Sequence, residues 1–273
     1  MRRSYVMQVV SLGDLALDVI VRLHQPLALG ADATSEITLS TGGQGANVAA
    51  WLAALGARAR WVGVRADDDA GRIAAGRLEG LGVELVGPVV EGRTGVIVSL
   101  VDADGQRSMC PDRGSAGALR ADDVEAGWLA CDHLHLSGYA LFGQPSRRAA
   151  LRAAALARAE GARVSVDLSS WSGIRDVGPD SFRALLQELA PDVVFANEDE
   201  DATIGGCWPG VVWIVKRGRA GCSFDGDERP ALPVEVVDTT GAGDALAAGW
   251  IVDGADLGLE AAARCVARAG SMP

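Results

Sequence analysis

The sequence is poor in the residues that build metal centres, disulfide frames and membrane spans. Only three histidines occur among 273 residues, and although His133 and His135 flank Leu134 in a strand-like stretch, no third histidine stands near them. The five cysteines, at 110, 131, 207, 222 and 265, are odd in number, scattered and without a C-x-x-C pair. That pattern reads as reduced thiols, not a disulfide scaffold or a zinc site. No apolar run approaches the roughly 20 residues of a membrane span. Basic charge is the minority: 25 Lys and Arg against 36 Asp and Glu give a formal net charge of −11, which argues against nucleic acid or an anionic membrane as partner. Met1-Arg2-Arg3-Ser4 leads into a short apolar strand pattern with no signal-peptide core, so the expectation is a soluble cytoplasmic protein. The first strand ends in a lone Gly13 and not in G-x-G-x-x-G, which removes a dinucleotide-dependent dehydrogenase. Low-complexity tracts and internal repeats are also missing.

What is present is an apolar half of the composition, 49% hydrophobic, enough for one large α/β domain or two small ones. Apolar runs at Val6–Leu12, Ala59–Val64, Val83–Val86, Leu134–Leu136, Arg163–Leu168, Val193–Phe195, Val211–Val215 and Cys222–Phe224 read as strands. Between them fall helical patterns from Asp67-Asp68-Asp69 to about Leu81, over Ser146–Glu160 and Ser181–Leu189, and finally over Ala242–Val252 and Leu259–Ala269. Strand–helix alternation predicts a mostly parallel sheet with helices on both faces. Two segments break the rhythm. Residues 17–40, with a strand over Ser35–Leu39, and 94–109, a hairpin with its turn at Asp104-Gly105, could together form a small sheet over a ligand cleft and exclude water from it.

Two glycine-rich stretches open helices. In Gly42-Gly43-Gln44-Gly45-Ala46-Asn47 the backbone freedom suits a tight turn or the close approach of a ligand, and Asn47 offers a donor and an acceptor to a polyhydroxylated molecule. In Asp238-Thr239-Thr240-Gly241-Ala242-Gly243-Asp244 the amides of a first helical turn favour an anion, while the Asp244 carboxylate would repel one. That contradiction points to a proton acceptor beside a charge-stabilising hole; a plain glycine turn with a first-turn aspartate is the competing reading. Asp18 lies just beyond the first strand's carboxyl end, where open α/β sheets bind ligands, or is a solvated turn carboxylate.

These two stretches, with Asn197-Glu198-Asp199-Glu200 and Lys216-Arg217-Gly218-Arg219-Ala220-Gly221 between them, resemble in order and over almost the whole chain the motifs of the ribokinase-like (PfkB) carbohydrate kinases. The resemblance implies a ribokinase-like three-layer α/β/α fold over residues 1–273 with a small β lid at about 17–40 and 94–109. It implies phosphoryl transfer from ATP to a hydroxyl of a sugar or sugar derivative. Asp244 would be the base, and the amides of Gly241, Ala242 and Gly243 the anion hole. Asp18, Gly42, Gly43 and Asn47 would grip the acceptor. Asn197, Lys216, Gly218 and Gly221 would serve the nucleotide, and Glu200 with Asn197 would organise Mg2+ through water. Asp238 and Thr240 become candidate ligands for a monovalent cation, K+, as in some relatives, and a homodimer through the lid is a candidate assembly. A nucleoside kinase of the same family and a catalytically silent ligand-binding protein on this fold stay open as alternatives. Gln44 stands where ribokinases often carry lysine and Ala16 where they carry a polar residue, and the stretch Met109–Gly114, with Arg113, looks more like fructokinase- or ketodeoxygluconate-kinase-like relatives.

Overall fold

The computed structural model of the protein describes residues 5–102 and 107–273. In chain order, β1 (Gln8–Leu12) is followed by β2 (Ala16–Leu23), β3 (Ser35–Gly42), α1 (Gln44–Ala54), β4 (Arg58–Val62), β5 (Arg65–Ala66) and α2 (Asp69–Gly80). Then come β6 (Glu84–Val86), β7 (Val89–Val90), β8 (Thr94–Val101), β9 (Arg107–Gly114), β10 (His133–Ser137), α3 (Ser146–Ala159) and β11 (Arg163–Asp167). The last third holds α4 (Trp171–Val177), α5 (Pro179–Leu189), β12 (Val193–Asn197), α6 (Glu198–Ile204), β13 (Val212–Lys216), β14 (Cys222–Phe224), β15 (Asp227–Arg229) and α7 (Ala242–Val266).

Nine strands form one sheet in the order β15-β14-β13-β12-β11-β10-β1-β4-β6. The strands from β6 to β13 are parallel, and β14 and β15 close one edge antiparallel. Successive strand residues point to opposite faces, so Val10, Leu12, Val194 and Ala196 join one apolar layer and Val9, Val193 and Phe195 the other. α3 and α5 cover the first layer; α1, α2 and α7 cover the second. In α3 the buried face is Ala149, Ala150, Ala153, Ala154 and Ala157, a helical stripe of small side chains that lets the helix lie close to the sheet. The result is the three-layer α/β/α arrangement expected of the sequence.

Helix ends follow the local chemistry. Asp68 caps α2 by accepting from the Gly71 amide at 2.8 Å, and its other oxygen accepts from the Thr94 amide at 2.9 Å, tying the helix to β8. The two helices expected near the end are present within α7, separated by a kink of non-helical backbone at Asp253 and Gly254, and the second ends at Val266 rather than Ala269. His133 and His135 share the Ser165 hydroxyl at 2.7 and 2.9 Å. Burial drives both rings below their ordinary pKa, to about 3 and about 4, so they are neutral core residues.

The two segments outside the rhythm do pair. β3-β2-β8-β9 form a separate four-stranded sheet, with β2 parallel to β8 and antiparallel to β3. The proposed turn at Asp104-Gly105 falls outside the described residues, and β9 runs on to Gly114, past the expected Met109. Asp18 lies inside β2 of this small sheet, beyond the end of β1, and is not a solvated turn carboxylate.

Candidate active site

Four adjacent strands present polar groups at their carboxyl ends: Ser137 on β10, Asp167 on β11, Asn197 on β12 and Lys216 on β13. Asp14 stands two residues past the end of β1, and β1 lies between β10 and β4. A parallel sheet opens its crevice where successive crossovers leave to opposite sides, as they do here at β1.

Into that crevice points the N-terminus of α7. Its cap, Gly241, has φ 77° and ψ 0°, and a Cβ there would lie 2.6 Å from Ser271 Cβ. Glycine is required on both counts, since L-residues lose roughly 1–2 kcal/mol in this region before any clash. A Cβ on Gly243 would lie 3.2 Å from Lys216 Nζ, so an ammonium stands against the first turn. Lys216 is the only lysine in the sequence. Its Nζ donates to Asp167 Oδ2 at 2.5 Å. Burial would lower its pKa, but the charges of Asp167 and Glu200 outweigh that and hold it above its ordinary value.

Asp244, 9% exposed, accepts a hydrogen bond at Oδ2 from Asn47 Nδ2 at 2.7 Å. Asn47 in turn accepts at Oδ1 from the Ser271 hydroxyl at 3.0 Å. The two glycine-rich stretches, 197 residues apart, therefore meet side chain to side chain. Burial, with the nearby Asp167 charge, pushes the Asp244 carboxyl up to about 7, against the pull of Asn47 and Lys216. A carboxyl poised there can accept a proton near neutral pH.

On the small-sheet side, Asp18 stands against Gly42, where a Cβ would meet its Oδ1 at 2.2 Å. Among the described residues Asp18 Oδ1 is buried without a hydrogen-bond partner. Burial, then the Asp14 charge, pushes this carboxyl up to about 7. An unpartnered buried acceptor calls for a donor from a ligand. Gly43 has φ 93°, and a Cβ there would lie 2.6 Å from the Asp14 carbonyl oxygen. Gln44 accepts from the hydroxyls of Ser137 and Ser169, which fixes its side chain to the ends of β10 and β11. Asp14 accepts from the Gly45 amide at 3.4 Å and pairs with Arg113 at 3.5 Å, and the Arg113 guanidinium lies 3.7 Å over the Tyr139 ring. Asp14, Arg113 and Tyr139 line a cavity of about 280 Å³ together with Phe142 and Ser170.

Asn197 and Glu200 form a reciprocal cap on α6. Asn197 Oδ1 accepts from the Glu200 amide at 2.8 Å, and the Glu200 oxygens accept from the amide and Nδ2 of Asn197 at 2.8 and 2.9 Å. Burial, partly countered by Lys216, pushes Glu200 up to about 7. Each of these oxygens keeps a lone pair for water, so the pair suits Mg2+ through its hydration shell and not by direct ligation. Gly218 (φ 53°) and Gly221 (φ 104°) bracket the turn after β13, and a Cβ on Gly221 would lie 2.0 Å from the Arg229 carbonyl oxygen. Asp238 accepts from the amide and hydroxyl of Thr240 at 2.8 and 2.6 Å and also pairs with Arg107.

Four participants escaped the sequence reading. Asp167 ends a strand in the crevice, a position that could have marked it. Asp14 carried the same signal, two residues past β1. Ser271 and Arg107 carried none, because each acts through a contact more than 130 residues away.

Solved structures share this architecture. The adenosine kinase of Sinorhizobium meliloti is 25% identical and superposes with a TM-score of 0.86, over 98% of this chain and 96% of that one. An E. coli protein crystallised with ATP and Mg2+ is 25% identical, with a TM-score of 0.82 over 98% and 95%. The fold and its crevice thus define a ribokinase-like kinase. The family model for pfkB family carbohydrate kinases matches residues 7–206 and 210–272, and the chain belongs to that family. A curated relative, the ATP-dependent ribose-1-phosphate kinase of Halopiger xanaduensis, is 35% identical over 269 aligned positions, which cover 91% of this chain and 86% of the relative. The protein is accordingly a sugar or nucleoside kinase.

Proposed function

We propose that the protein transfers the γ-phosphoryl group of ATP to a hydroxyl of a sugar or sugar derivative held between the small sheet and α7. The observation that carries this is the Asp244–Asn47 contact at the N-terminus of α7: a buried carboxyl raised to about 7, beside first-turn amides and the Lys216 ammonium. Asp244 takes the proton of the attacking hydroxyl. The amides of Gly241, Ala242 and Gly243 and the Lys216 charge stabilise the transferring group, which needs alignment and charge stabilisation more than covalent help. Asp18 accepts from a second acceptor hydroxyl and Asn47 orients the first; Gly42 and Gly43 let the acceptor approach the backbone. Gly218 and Gly221 shape the nucleotide side. Asn197 and Glu200 would hold Mg2+ through water. When bound, Mg2+ neutralises phosphate charge. The small sheet acts as the lid of the single kinase unit, and its exposed Ile37, Leu39 and Met109 make it the face for a homodimer.

Arg113 favours a narrower reading, an acceptor that itself carries a phosphate or carboxylate. Stacked on Tyr139 and lining the cavity, its guanidinium suits such an anion, and a sugar phosphate is what the ribose-1-phosphate kinase relative is named for. Incubation with Mg-ATP and a panel of sugars, sugar acids, sugar phosphates and nucleosides tests both readings by ADP release. Turnover confined to uncharged sugars removes the Arg113 reading; turnover best with nucleosides replaces sugar by nucleoside as acceptor. No ADP release with any member of the panel leaves a silent binding protein.

A further inference from the structure

The Asp238–Thr240 corner does not fit the monovalent cation that the family resemblance suggests for it. Asp238, 8% exposed in its side chain, already has its oxygens engaged. Oδ1 accepts from the Thr240 amide at 2.8 Å, the Thr240 hydroxyl at 2.6 Å and the Arg107 guanidinium at 2.5 Å. Oδ2 accepts from the Gly270 amide at 3.0 Å. The Thr240 carbonyl accepts from the Cys265 thiol at 3.2 Å. A second Arg107 nitrogen donates to the Thr239 hydroxyl at 2.6 Å. A K+ ion here would have to displace donors from a carboxylate and then stand beside a guanidinium that cannot lose its proton. A buried carboxylate needs a paired charge, and the chain itself provides one. Burial tends to raise the Asp238 pKa, but these donors outweigh it and hold the carboxyl below its ordinary range.

We infer that Arg107 supplies, from within the chain, the positive charge that a bound monovalent cation would supply beside the first turn of α7, so that the protein works without K+. Arg107 opens β9 of the small sheet. The charge therefore reaches the anion hole only while that sheet sits over the crevice, and the contact joins acceptor-side closure to the phosphate-side loop. Arg107 is a positioning residue: it holds Asp238 and Thr239, which lead into Gly241–Gly243. The consequence for turnover rests on the kinase reading; the cation-binding part does not.

The test compares K+ with tetramethylammonium at matched ionic strength, reading both melting temperature without substrates and turnover with the acceptor found by the panel. The wild-type protein should show no K+-specific rise in melting temperature and turnover within about twofold in the two salts. Arg107→Ala should lose about tenfold in turnover, regain several-fold of it in K+, and be stabilised by K+. Arg107→Lys, which keeps the charge, should stay indifferent to K+. Specific stabilisation or several-fold activation of the wild type by K+ overturns the inference, as does an Arg107→Ala protein that K+ neither stabilises nor rescues. Failure of every acceptor would remove the kinase reading yet leave the melting comparison decisive for the cation.

Discussion

Two aspartates six residues apart, Asp238 and Asp244, end up in opposite electrostatic states. Asp238 is saturated with donors: an arginine, a hydroxyl and two amides outweigh the cost of burial and hold its pKa down. Asp244 is more deeply buried and receives a single side-chain donor, Asn47, and its pKa rises to about 7. One carboxylate is fixed as a charge that holds a loop; the other is free to exchange a proton. What separates them is the depth of burial and the donors and charges that folding brings to each, not residue type.

The largest effect should come from taking the proposed proton acceptor away. Asp244→Asn should lower kcat by about 10²–10⁴ while ATP still binds, measured by steady-state turnover and nucleotide titration; near-normal kcat would return Asp244 to the same fixed role as Asp238. Next is the charge on the other aspartate: Arg107→Ala should cost about tenfold and expose a K+ response. Smaller again, and on the acceptor side, Asp18→Ala should raise the acceptor KM by about tenfold with little change for ATP, as expected for loss of a hydrogen bond to a buried partner. An unchanged KM would take Asp18 out of the acceptor site.

The finest test is of pH. On the proposed mechanism Asp244 works as its carboxylate, so kcat/KM should climb as pH rises through about 7 and fall about tenfold per unit below it. Asn47→Ala removes a donor that favours the charged form and should move that midpoint up by about one unit; a midpoint that does not move would detach Asn47 from the base. Stability should respond with the opposite sign. Asp244 has a folded pKa of about 7 against a model value of 3.8, so between these values the native state holds more protons than the unfolded one. Its contribution to stability is present at low pH and declines as pH rises towards about 7. Thermal melting of Asp244→Asn should therefore vary less between pH 4 and 7 than that of the wild type.

The large sheet was legible because strands buried on both faces must be apolar throughout, as in Val193-Val194-Phe195-Ala196. The small sheet was harder. β2 and β8 pair in parallel across more than 70 residues, so neither strand carries a local sign of its partner. The glycine-rich stretches announced themselves as helix starts, and Gly241 shows why: its positive φ and its approach to Ser271 tolerate no side chain. The reciprocal Asn197–Glu200 cap on α6 is local too, since it depends on neighbours three residues apart.

By itself, then, the sequence determined the layer order, the helix starts and the glycine-rich turns that open α1 and α7, because periodicity, capping and glycine geometry are local. Only the tertiary structure decided that Asn47 meets Asp244, that the single lysine lies between Asp167 and Gly243, and that Arg107 reaches Asp238. Those contacts set which carboxyl is charged and which is poised to take a proton. A side chain's pKa is fixed by the donors, charges and dryness around it, and those are assembled only when distant parts of the chain pack together.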